Sequence, residues 1–490
     1  MNNKEIVSRK QRILIMTDRF PPYSEGGAEI SLFIVISHLL KYNYEITVIT
    51  LNDKVNEVLF TLHNGIQVYS VPYSSSWPTG FWENRSLTHK KPIYFWNKIW
   101  RLKSYFDYLM RGRRYGILLE KIEKYKLFSA LRKRKLLRYL PIMDEDISNI
   151  PSTHQDIKNI IKEFKPDLVH ADNFRSILLA SALLPSSLPW IAQVRDNRFF
   201  CANLGQPMNV KGRICQSCGF ECVDHLSSKL KELTKKYMDK DLFFRQNALT
   251  KADRVVVTST FLKHQILSIT GVQNIDLVSN PVDEMELSES ILSTIRQADP
   301  KEILIVGMVN ENKGQLGIVR WLDRLSEALV DYRIVIAGRG ERLTAHIKNL
   351  IASKKYSDRV VFIGYLGREE LYRAYARASV VVCPNIWPEP FGRVPLEAGI
   401  SRRPVVAYAV GGISENIIHG KTGLLVPEND EDALVEAILM LMKNTEYAEM
   451  LGKQAYDHIR NNFTVTITAD SLAHSWSKAT NIPTYYNGEQ

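Results

Sequence analysis

Two glutamates, Glu389 and Glu397, lie in a stretch that has the residues of an anion-binding site. A proline flanks Glu389 on each side and excludes regular structure around it. A helix is predicted to begin near Gly392 and to contain Glu397. Its first N–H groups lack partners within the helix and would face an anion beside Phe391. Two carboxylates beside such a site indicate a phosphate that is attached to a group rich in hydroxyls.

The surrounding segment carries a recognisable pattern. Residues 387–423 read WPEPFGRVPLEAGISRRPVVAYAVGGISENIIHGKTG, which contains E-x7-E around F-G, then P-V-V-A and G-G-x-x-E. Either glutamate alone would be interpreted as an ordinary solvated side chain, but the combination of these motifs favours a ligand-binding site. The block resembles the signature of family 4 retaining glycosyltransferases of the GT-B fold.

That resemblance implies a fold and roles for individual residues. The fold is α/β, with two Rossmann-like doubly wound domains that face a central cleft. Glu397 would hold the ribose hydroxyls of a nucleotide-diphosphate sugar, either a UDP- or a GDP-sugar, and Glu389 would hold a hydroxyl of the transferred sugar. Backbone amides of Phe391, Gly392 and Arg393 would contact the diphosphate. No catalytic metal is required, because amide dipoles and cations can take its place.

The bulk composition agrees with a two-domain α/β protein. The chain has 490 residues, of which 45% are hydrophobic and 24% charged, and no apolar run approaches the roughly 20 residues of a membrane span. The polar start, MNNKEIVSRKQ, runs straight into a strand and predicts no cleavable signal peptide. Five cysteines are few and odd in number, which favours the reducing cytoplasm.

The positive charge is concentrated in one segment. Residues 85–138 hold 17 Lys and Arg against three acidic residues, a net +14, so the rest of the chain carries −3 of the total +11. Aromatic residues lie among these charges, and within 93–110 apolar residues recur at helical spacing. The profile fits a peripheral element on an anionic membrane surface. It fits equally a helical insertion, at 74–140, that packs on its own domain. A nucleic-acid partner is disfavoured, because no such motif accompanies the charge.

The first domain opens with a predicted strand at 12–16, a glycine turn and a helix at 28–40. Gly26 and Gly27, at the helix start, let backbone amides approach a ligand, although they also fit a simple strand-to-helix turn. The resemblance implies that they lie against donor phosphate and acceptor. The predicted strand 167–170 ends at His170, and Asn173 lies shortly after it. Because ligands bind beyond the carboxyl ends of such strands, both are predicted to point into the cleft on the acceptor side. The alternative is a structural histidine.

The end of the next predicted strand, 190–194, departs from the family. Many members have a His there, close to the donor sugar, whereas this chain has Arg195 and Asp196. We predict that Asp196 accepts a hydrogen bond from a sugar hydroxyl while Arg195 pairs with it or with a phosphate. Both are grouped with Glu389 as catalytic residues. The alternative is an Arg–Asp pair that only shapes the loop.

A cysteine-rich loop at 197–225 follows, with the spacing C-x13-C-x2-C-x3-C. Four thiolates with a C-x-x-C element match the ligand set of a structural zinc site, and an iron–sulfur cluster or free thiols would also fit. Catalytic use is disfavoured because four cysteine ligands leave no open coordination position. The candidate ligands are Cys201, Cys215, Cys218 and Cys222.

The second domain restarts the alternation of strand and helix at 302–306. Lys313 and Gly314 stand at the following helix start, where a lysine can contact a diphosphate, as the resemblance also implies. An Arg that the family commonly places in this loop is replaced by Met308. Substitutes for the missing cation are Arg393, Arg339 or Lys421.

These observations predict three regions. Residues 1–285 form an acceptor-side Rossmann-like domain, 286–464 the nucleotide-sugar domain, and 465–490 a helix that returns to the first domain. The function that the resemblance implies is transfer of a hexosyl unit, with retention, and we predict a saccharide or lipid-linked acceptor in cell-surface glycan biosynthesis. The alternatives are a nucleotide-sugar epimerase or phosphorylase on the same scaffold, and a non-catalytic sugar or membrane binder.

Overall fold

The computed structural model describes residues 9–73, 151–282 and 302–483, apart from gaps at 22–25, at 53 and within 203–227. The predicted basic insertion at 74–140 lies outside these residues. No helix in the described part of the chain is long and apolar enough to cross a membrane.

The first sheet is built from the described residues up to 282. Its strand order is β3-β4-β2-β1-β5-β6-β7-β8, and all neighbours are parallel except β3 and β4. The strands are β1 (Gln11–Thr17), β2 (Tyr44–Asn52), β3 (Leu59–His63), β4 (Ile66–Pro72), β5 (Leu168–Asp172), β6 (Trp190–Val194), β7 (Arg254–Val257) and β8 (Ile275–Leu277). The helices are α1 (Gly27–Leu39), α2 (Pro151–Phe164), α3 (Phe174–Leu183), α4 (Ser228–Leu249) and α5 (Thr260–Thr270).

The second sheet is parallel throughout, in the order β11-β10-β9-β12-β13-β14. Its strands are β9 (Glu302–Val306), β10 (Arg333–Ala337), β11 (Val360–Gly364), β12 (Val380–Cys383), β13 (Val405–Tyr408) and β14 (Gly423–Val426). Its helices are α6 (Ile318–Ala328), α7 (Glu341–Ile351), α8 (Arg368–Arg377), α9 (Val394–Ile400), α10 (Glu431–Lys443) and α11 (Thr445–Asn462). Two doubly wound parallel sheets confirm the predicted α/β class.

The strands at the centre of each sheet are short runs of β-branched residues. β12 and β13 read VVVC and VVAY and are buried along their whole length. Parallel strands with helices on both faces require such continuous apolar runs. For this reason the predicted strand at 302–306 has the bounds of β9. β3 was not predicted: it is an antiparallel edge strand with an exposed Leu62, and its pattern lacks a continuous apolar run.

The last helix, α12 (Val465–Thr480), packs against α1 and the first sheet although it follows the second. Trp476 is fully buried there, its ring in edge-to-face contact with Tyr44 at 5.1 Å. The Val282 N–H, at the end of the first domain, donates to the Phe463 carbonyl at 2.8 Å, just before α12 begins. The segment that leaves the first domain and the segment that returns to it therefore lie side by side.

Replacing Trp476 with Leu is expected to lower the free energy of unfolding by about 2 kcal/mol, because the smaller side chain leaves a cavity in the hydrophobic core between α12 and the first sheet. Urea denaturation of the purified chain measures this. His474→Ala, on the exposed face of the same helix, is the matched control and should change stability by less than about 0.5 kcal/mol. Equal effects of the two variants would contradict the packing of α12 described above.

Candidate active site

The Glu389 side chain is held by two partners of its own domain. Lys313 Nζ donates to both carboxylate oxygens at 2.8 Å, and Asn385 Nδ2 donates to Oε2 at 2.5 Å. Lys313 lies in the loop after β9, and Asn385 follows β12, the neighbour of β9 in the sheet. The carboxyl ends of adjacent parallel strands thus bring a cation and a carboxylate to the edge where open α/β sheets bind ligands.

Two glycines fix the turn that carries Glu389. Gly411 has φ +53°, and a Cβ on it would lie 2.6 Å from the Glu389 carbonyl oxygen. The Gly412 N–H donates to that same carbonyl at 2.7 Å, and a Cβ on Gly412 would lie 2.4 Å from the Pro390 carbonyl oxygen. The G-G pair of the sequence pattern is explained by this close approach of two backbone segments.

Glu397 lies in α9, which begins at Val394 rather than near Gly392. Gly392 has φ +81°, a left-handed conformation outside the helical region, so the helix starts two residues later than predicted. The Tyr375 hydroxyl donates to Glu397 Oε2 at 2.9 Å, and Arg393 Nε donates to Oε1 at 3.1 Å. Burial, and then the Glu397 carboxylate, raise the pKa of Tyr375 well above its usual value. The hydroxyl therefore remains a donor at neutral pH.

Replacing Tyr375 with Phe is expected to raise the KM for the nucleotide sugar about fivefold, because Glu397 loses one of the two bonds that orient it. The kcat should change less than about twofold, since the contact predicted for the transferred sugar is made by Glu389. Steady-state nucleotide release measures both. Tyr447→Phe, at a half-buried tyrosine of α11, is the control and should leave both constants unchanged. A fall in kcat without a change in KM would contradict the role of Tyr375 in orienting Glu397.

The turn between the two glutamates, at Phe391 and Gly392, can contact a ligand through its backbone. The Phe391 ring is buried and lies 6.3 Å from the Phe463 ring, so only the main chain of this residue is placed to reach a ligand. Asn416 Nδ2 donates to the carbonyls of Phe391 and Gly392 at 2.7 and 2.9 Å and fixes their peptide planes. Gly314, in the Lys313 loop, has φ +73° and packs on Pro384, because a Cβ there would lie 1.7 Å from the Pro384 carbonyl oxygen.

Arg393 reaches from this turn to the first domain. Its Nη1 donates to the Gly27 and Pro281 carbonyls at 3.5 and 3.4 Å, and it also contacts Ser31 Oγ. A Cβ on Gly27 would lie 2.8 Å from Arg393 Cδ, and one on Gly26 would overlap the Glu29 carboxylate. A side chain at position 27 would thus meet Arg393 of the other domain, whereas one at position 26 would meet Glu29 of its own helix.

On the first domain, Arg195 pairs with Asp172. Its Nε donates to Asp172 Oδ1 and its Nη1 to Asn280 Oδ1, both at 2.5 Å, and the two charged side chains are 6% and 0% exposed. Asp196 instead accepts from the N–H and Nε of Arg198 at 2.8 and 2.7 Å. The expected pairing of Arg195 with Asp196 is wrong, because the adjacent strand β5 supplies a fully buried carboxylate.

Two family models match the chain. A model of glycosyl transferases group 1 matches residues 290–458, and a model of glycosyltransferase family 4 matches residues 123–286. Their order along the chain is the order of the two sheets. The chain belongs to the family 4 glycosyltransferases.

Similar proteins agree with this membership in a family of transferase enzymes. The D-inositol 3-phosphate glycosyltransferase of Mycobacteroides abscessus is 30% identical over 243 residues, 48% of this chain and 54% of that protein. The match therefore spans about half the length of that curated relative. An uncharacterized 42.6 kDa protein in the cps region of Klebsiella pneumoniae is 23% identical over 415 residues, 82% of this chain and 86% of that protein.

Solved structures confirm the GT-B fold. Anabaena HepE in complex with UDP has a TM-score of 0.62 with this glycosyltransferase at 16% identity, covering 95% of this chain and 100% of that chain. At this identity the similarity concerns the fold alone.

His170 lies in the core of the glycosyltransferase rather than in the cleft. β5 ends at Asp172, two residues later than predicted, and Trp476 Nε1 donates to His170 Nδ1 at 3.3 Å. Burial, and then Arg195, lower the pKa of His170 to about 3, so the ring is neutral. The predicted cleft position of His170 is wrong. Asn173 precedes α3 with φ +74°, and its side chain is buried as well.

Asp172 and Tyr375 are the polar groups that the sequence left unassigned. Asp172 is the last residue of β5, whose end was predicted two residues too early. With the correct end, Asp172 would have been a candidate site residue. Tyr375 lies in α8, 22 residues before Glu397, and no motif connects the two. Its contact depends on how α8 and α9 pack.

The three substitutes for the cation missing at Met308 occupy different places. Arg393 lies within the cleft and is paired with Glu397. Arg339 is exposed after β10 with its guanidinium 4.2 Å from the Tyr365 ring centroid, and its carbonyl accepts from the Val309 N–H beside Met308. Lys421 lies near His458, whose pKa is lowered first by burial and then by this lysine. Arg393 is thus the substitute with direct contacts to the site.

The described residues give no support to the predicted four-cysteine metal site, which stays a prediction. No group of three or more His, Cys, Asp or Glu there is arranged to hold a metal ion, and the cysteines are free thiols. Cys201 belongs to the apolar core of the first domain, whereas Cys215 and Cys218 are half-buried in the loop. Burial and the neighbouring Cys218 raise the pKa of Cys222 to about 12, so this thiol is protonated at neutral pH.

Proposed function

We propose that this glycosyltransferase moves a hexosyl unit, with retention of configuration, from a UDP- or GDP-sugar to a saccharide or lipid-linked acceptor. The observation that carries the proposal is the pairing of Lys313 with Glu389 beside the Glu397, Tyr375 and Arg393 cluster. A nucleotide sugar has hydroxyls at both ends and a diphosphate between them. The site has a carboxylate at each end and a cation beside each.

The two cations suit a leaving diphosphate. The Lys313 ammonium has three N–H donors, and Glu389 accepts from it with both oxygens, so a further donor remains for a phosphate oxygen. Arg393 has a planar fork of donors, of which Nε is bonded to Glu397. Groups held in place before reaction stabilise developing charge at little reorganisation cost, typically by about 3 kcal/mol each.

In the transfer step the bond between the anomeric carbon and the diphosphate oxygen breaks, and its electron pair stays on the diphosphate. The acceptor hydroxyl oxygen forms the new bond to the anomeric carbon, and its proton passes to a phosphate oxygen of the departing nucleotide. A covalent route would need a carboxylate free to attack. Asp196 is bonded by Arg198, and Glu389 by Lys313 and Asn385, which favours the single-step route.

The setting we propose is cell-surface glycan biosynthesis at the cytoplasmic face of a membrane. The basic segment at 85–138, which lies outside the described residues, supports attraction to an anionic surface. The UDP complex of HepE supports UDP as the carrier, with GDP as the second choice.

A donor screen tests the proposal. UDP- and GDP-sugars are incubated with the purified chain, with and without simple sugar acceptors, and the released nucleotide is measured. We expect slow hydrolysis of one donor alone and faster release when an acceptor is added. Release that is independent of every acceptor, together with a changed sugar in the recovered nucleotide sugar, would favour an epimerase. An absence of turnover with all donors would leave a sugar-binding protein.

A further inference from the structure

The turn that carries Glu389 is held from the other domain. The carbonyl oxygen of Pro388 accepts from Asn197 Nδ2 at 2.8 Å, and that of Pro390 accepts from Ser259 Oγ at 2.5 Å. Asn197 and Ser259 belong to the first domain, and both are at most 1% exposed. The residues on both sides of Glu389 are therefore bonded to the opposite face of the cleft.

A third contact joins the same two regions. The Glu415 carboxylate, at the end of the G-G-x-x-E pattern, accepts from the N–H groups of Thr260 and Phe261 at 2.7 and 2.6 Å. These are first-turn N–H groups of α5, which lack partners within the helix and carry the positive end of its dipole. A residue of the second domain thus caps a helix of the first. Ser259, the N-cap residue of that helix, accepts from Leu262 N–H at 3.2 Å.

These three contacts exist only when the domains are together. Separation would leave the Pro388 and Pro390 carbonyls without these donors, and the first turn of α5 without its carboxylate. Each lost bond within a buried interface costs free energy, so the contacts favour the closed arrangement. None of them comes from the Lys313, Asn385, Tyr375 or Arg393 side chains that hold the two site glutamates.

We propose that Asn197, Ser259 and Glu415 form an interdomain latch that positions Glu389 when the cleft closes. The coupling is mechanical: Glu389 lies between two prolines, so its backbone has little freedom once the carbonyls on either side are bonded. Opening of the latch releases the turn and with it the placement of the carboxylate beside the transferred sugar. This inference rests on the proposed function for the role of Glu389, but not for the closure itself.

Closure is tested first, without any substrate. Small-angle X-ray scattering compares the wild-type chain with the triple variant Asn197→Ala/Ser259→Ala/Glu415→Gln. We expect a larger radius of gyration for the triple variant and an unchanged one for Ser268→Ala. Ser268 lies on the exposed face of α5 and donates only to the Gln265 carbonyl, which makes it the matched control. Equal radii for the wild type and the triple variant would overturn the latch.

The coupling to Glu389 is tested by kinetics with rescue. Ser259→Ala should lower kcat about tenfold, because it removes the donor to Pro390. Ser259→Thr keeps the hydroxyl and should restore kcat to within about twofold. Ser259→Asp keeps a cap for Leu262 N–H but has no donor for Pro390, so it should resemble Ser259→Ala. An Asp variant with wild-type kcat would mean that the residue acts only as a helix cap, and the coupling would be overturned.

The two failures can be told apart. If the wild-type chain turns over no nucleotide sugar, the proposed function fails, but the scattering comparison still decides whether the latch exists. If turnover is seen and the triple variant expands with kcat unchanged, the proposed function stands and the coupling fails.

Discussion

Replacing Glu389 with Gln is expected to lower kcat by about two to three orders of magnitude, the range seen when one preorganised polar group is removed from an active site. The amide cannot form the ion pair with Lys313, which donates to both Glu389 oxygens at 2.8 Å. It also offers a single acceptor oxygen, for which Lys313, Asn385 and a sugar hydroxyl would compete. Both losses act at the end of the donor where the bond breaks.

Acceptor-dependent release of nucleotide at saturating donor measures the effect. Glu436→Gln is the matched control: this glutamate pairs with Arg324 on the surface of the second domain and is 67% exposed, so kcat should not change. The KM for the donor should rise less than kcat falls, because the proposed contact of Glu397 with the ribose is unchanged. A Glu389→Gln variant with kcat within twofold of the wild type would remove Glu389 from the active site.

The second domain could be predicted from the sequence in some detail. β9 and β10 are continuous apolar runs of parallel strands, and glycines and prolines mark the turns after them, so local chemistry determines these elements. The segment around Glu389 was found for the same reason. Gly411 and Gly412 are required because their backbone lies close to the backbone of the Glu389 turn. Such a constraint can be recognised in the sequence as a pair of glycines.

The first domain was harder to predict because its decisive contacts are non-local. His170 and Asp172 both lie in β5, and the predicted end of that strand is two residues too early. As a result, His170 was chosen as the residue at the strand end, where the structure has the buried carboxylate of Asp172. Asn280 bonds to Arg195 across 85 residues, and Asn197 bonds to Pro388 across 191. No spacing rule connects such pairs, since the first depends on how the first domain folds and the second on how the two domains meet.

Arg195 and Asp172 show why the residue type at a strand end does not determine its role. Where many family members have a His, this chain has a guanidinium whose Nε and Nη1 are engaged by Asp172 and Asn280. The catalytic role expected for Arg195 therefore gives way to a positioning role, in which it ties β5 and β6 to the segment that leads into the second domain. Asp18 and Glu29 add further negative charge around Asp172.

Replacing Arg195 with Met is expected to lower the free energy of unfolding by about 3–5 kcal/mol at pH 8, because it leaves a buried carboxylate without its partner. Burial already raises the pKa of Asp172 to about 6, and Arg195 opposes that rise, so the variant should raise this pKa further. A carboxyl whose folded pKa lies above its unfolded value binds more protons in the folded state between the two values. The unfolding free energy then falls as pH rises through that window.

As the pH is lowered from 8 to 5, the variant should regain stability relative to the double variant Arg195→Met/Asp172→Asn, which lacks the carboxylate that takes up the proton. Urea denaturation of both variants at the two pH values measures the difference. Burial lowers the pKa of His170 to about 3, so this residue destabilises both variants as the pH falls, and the comparison between them isolates Asp172. At pH 8 the double variant should lose less stability than the single variant, because it leaves no unpaired carboxylate at position 172. If the single variant were equally destabilised at pH 5 and pH 8, the cause would be lost packing of the Arg195 stem rather than an unpaired Asp172.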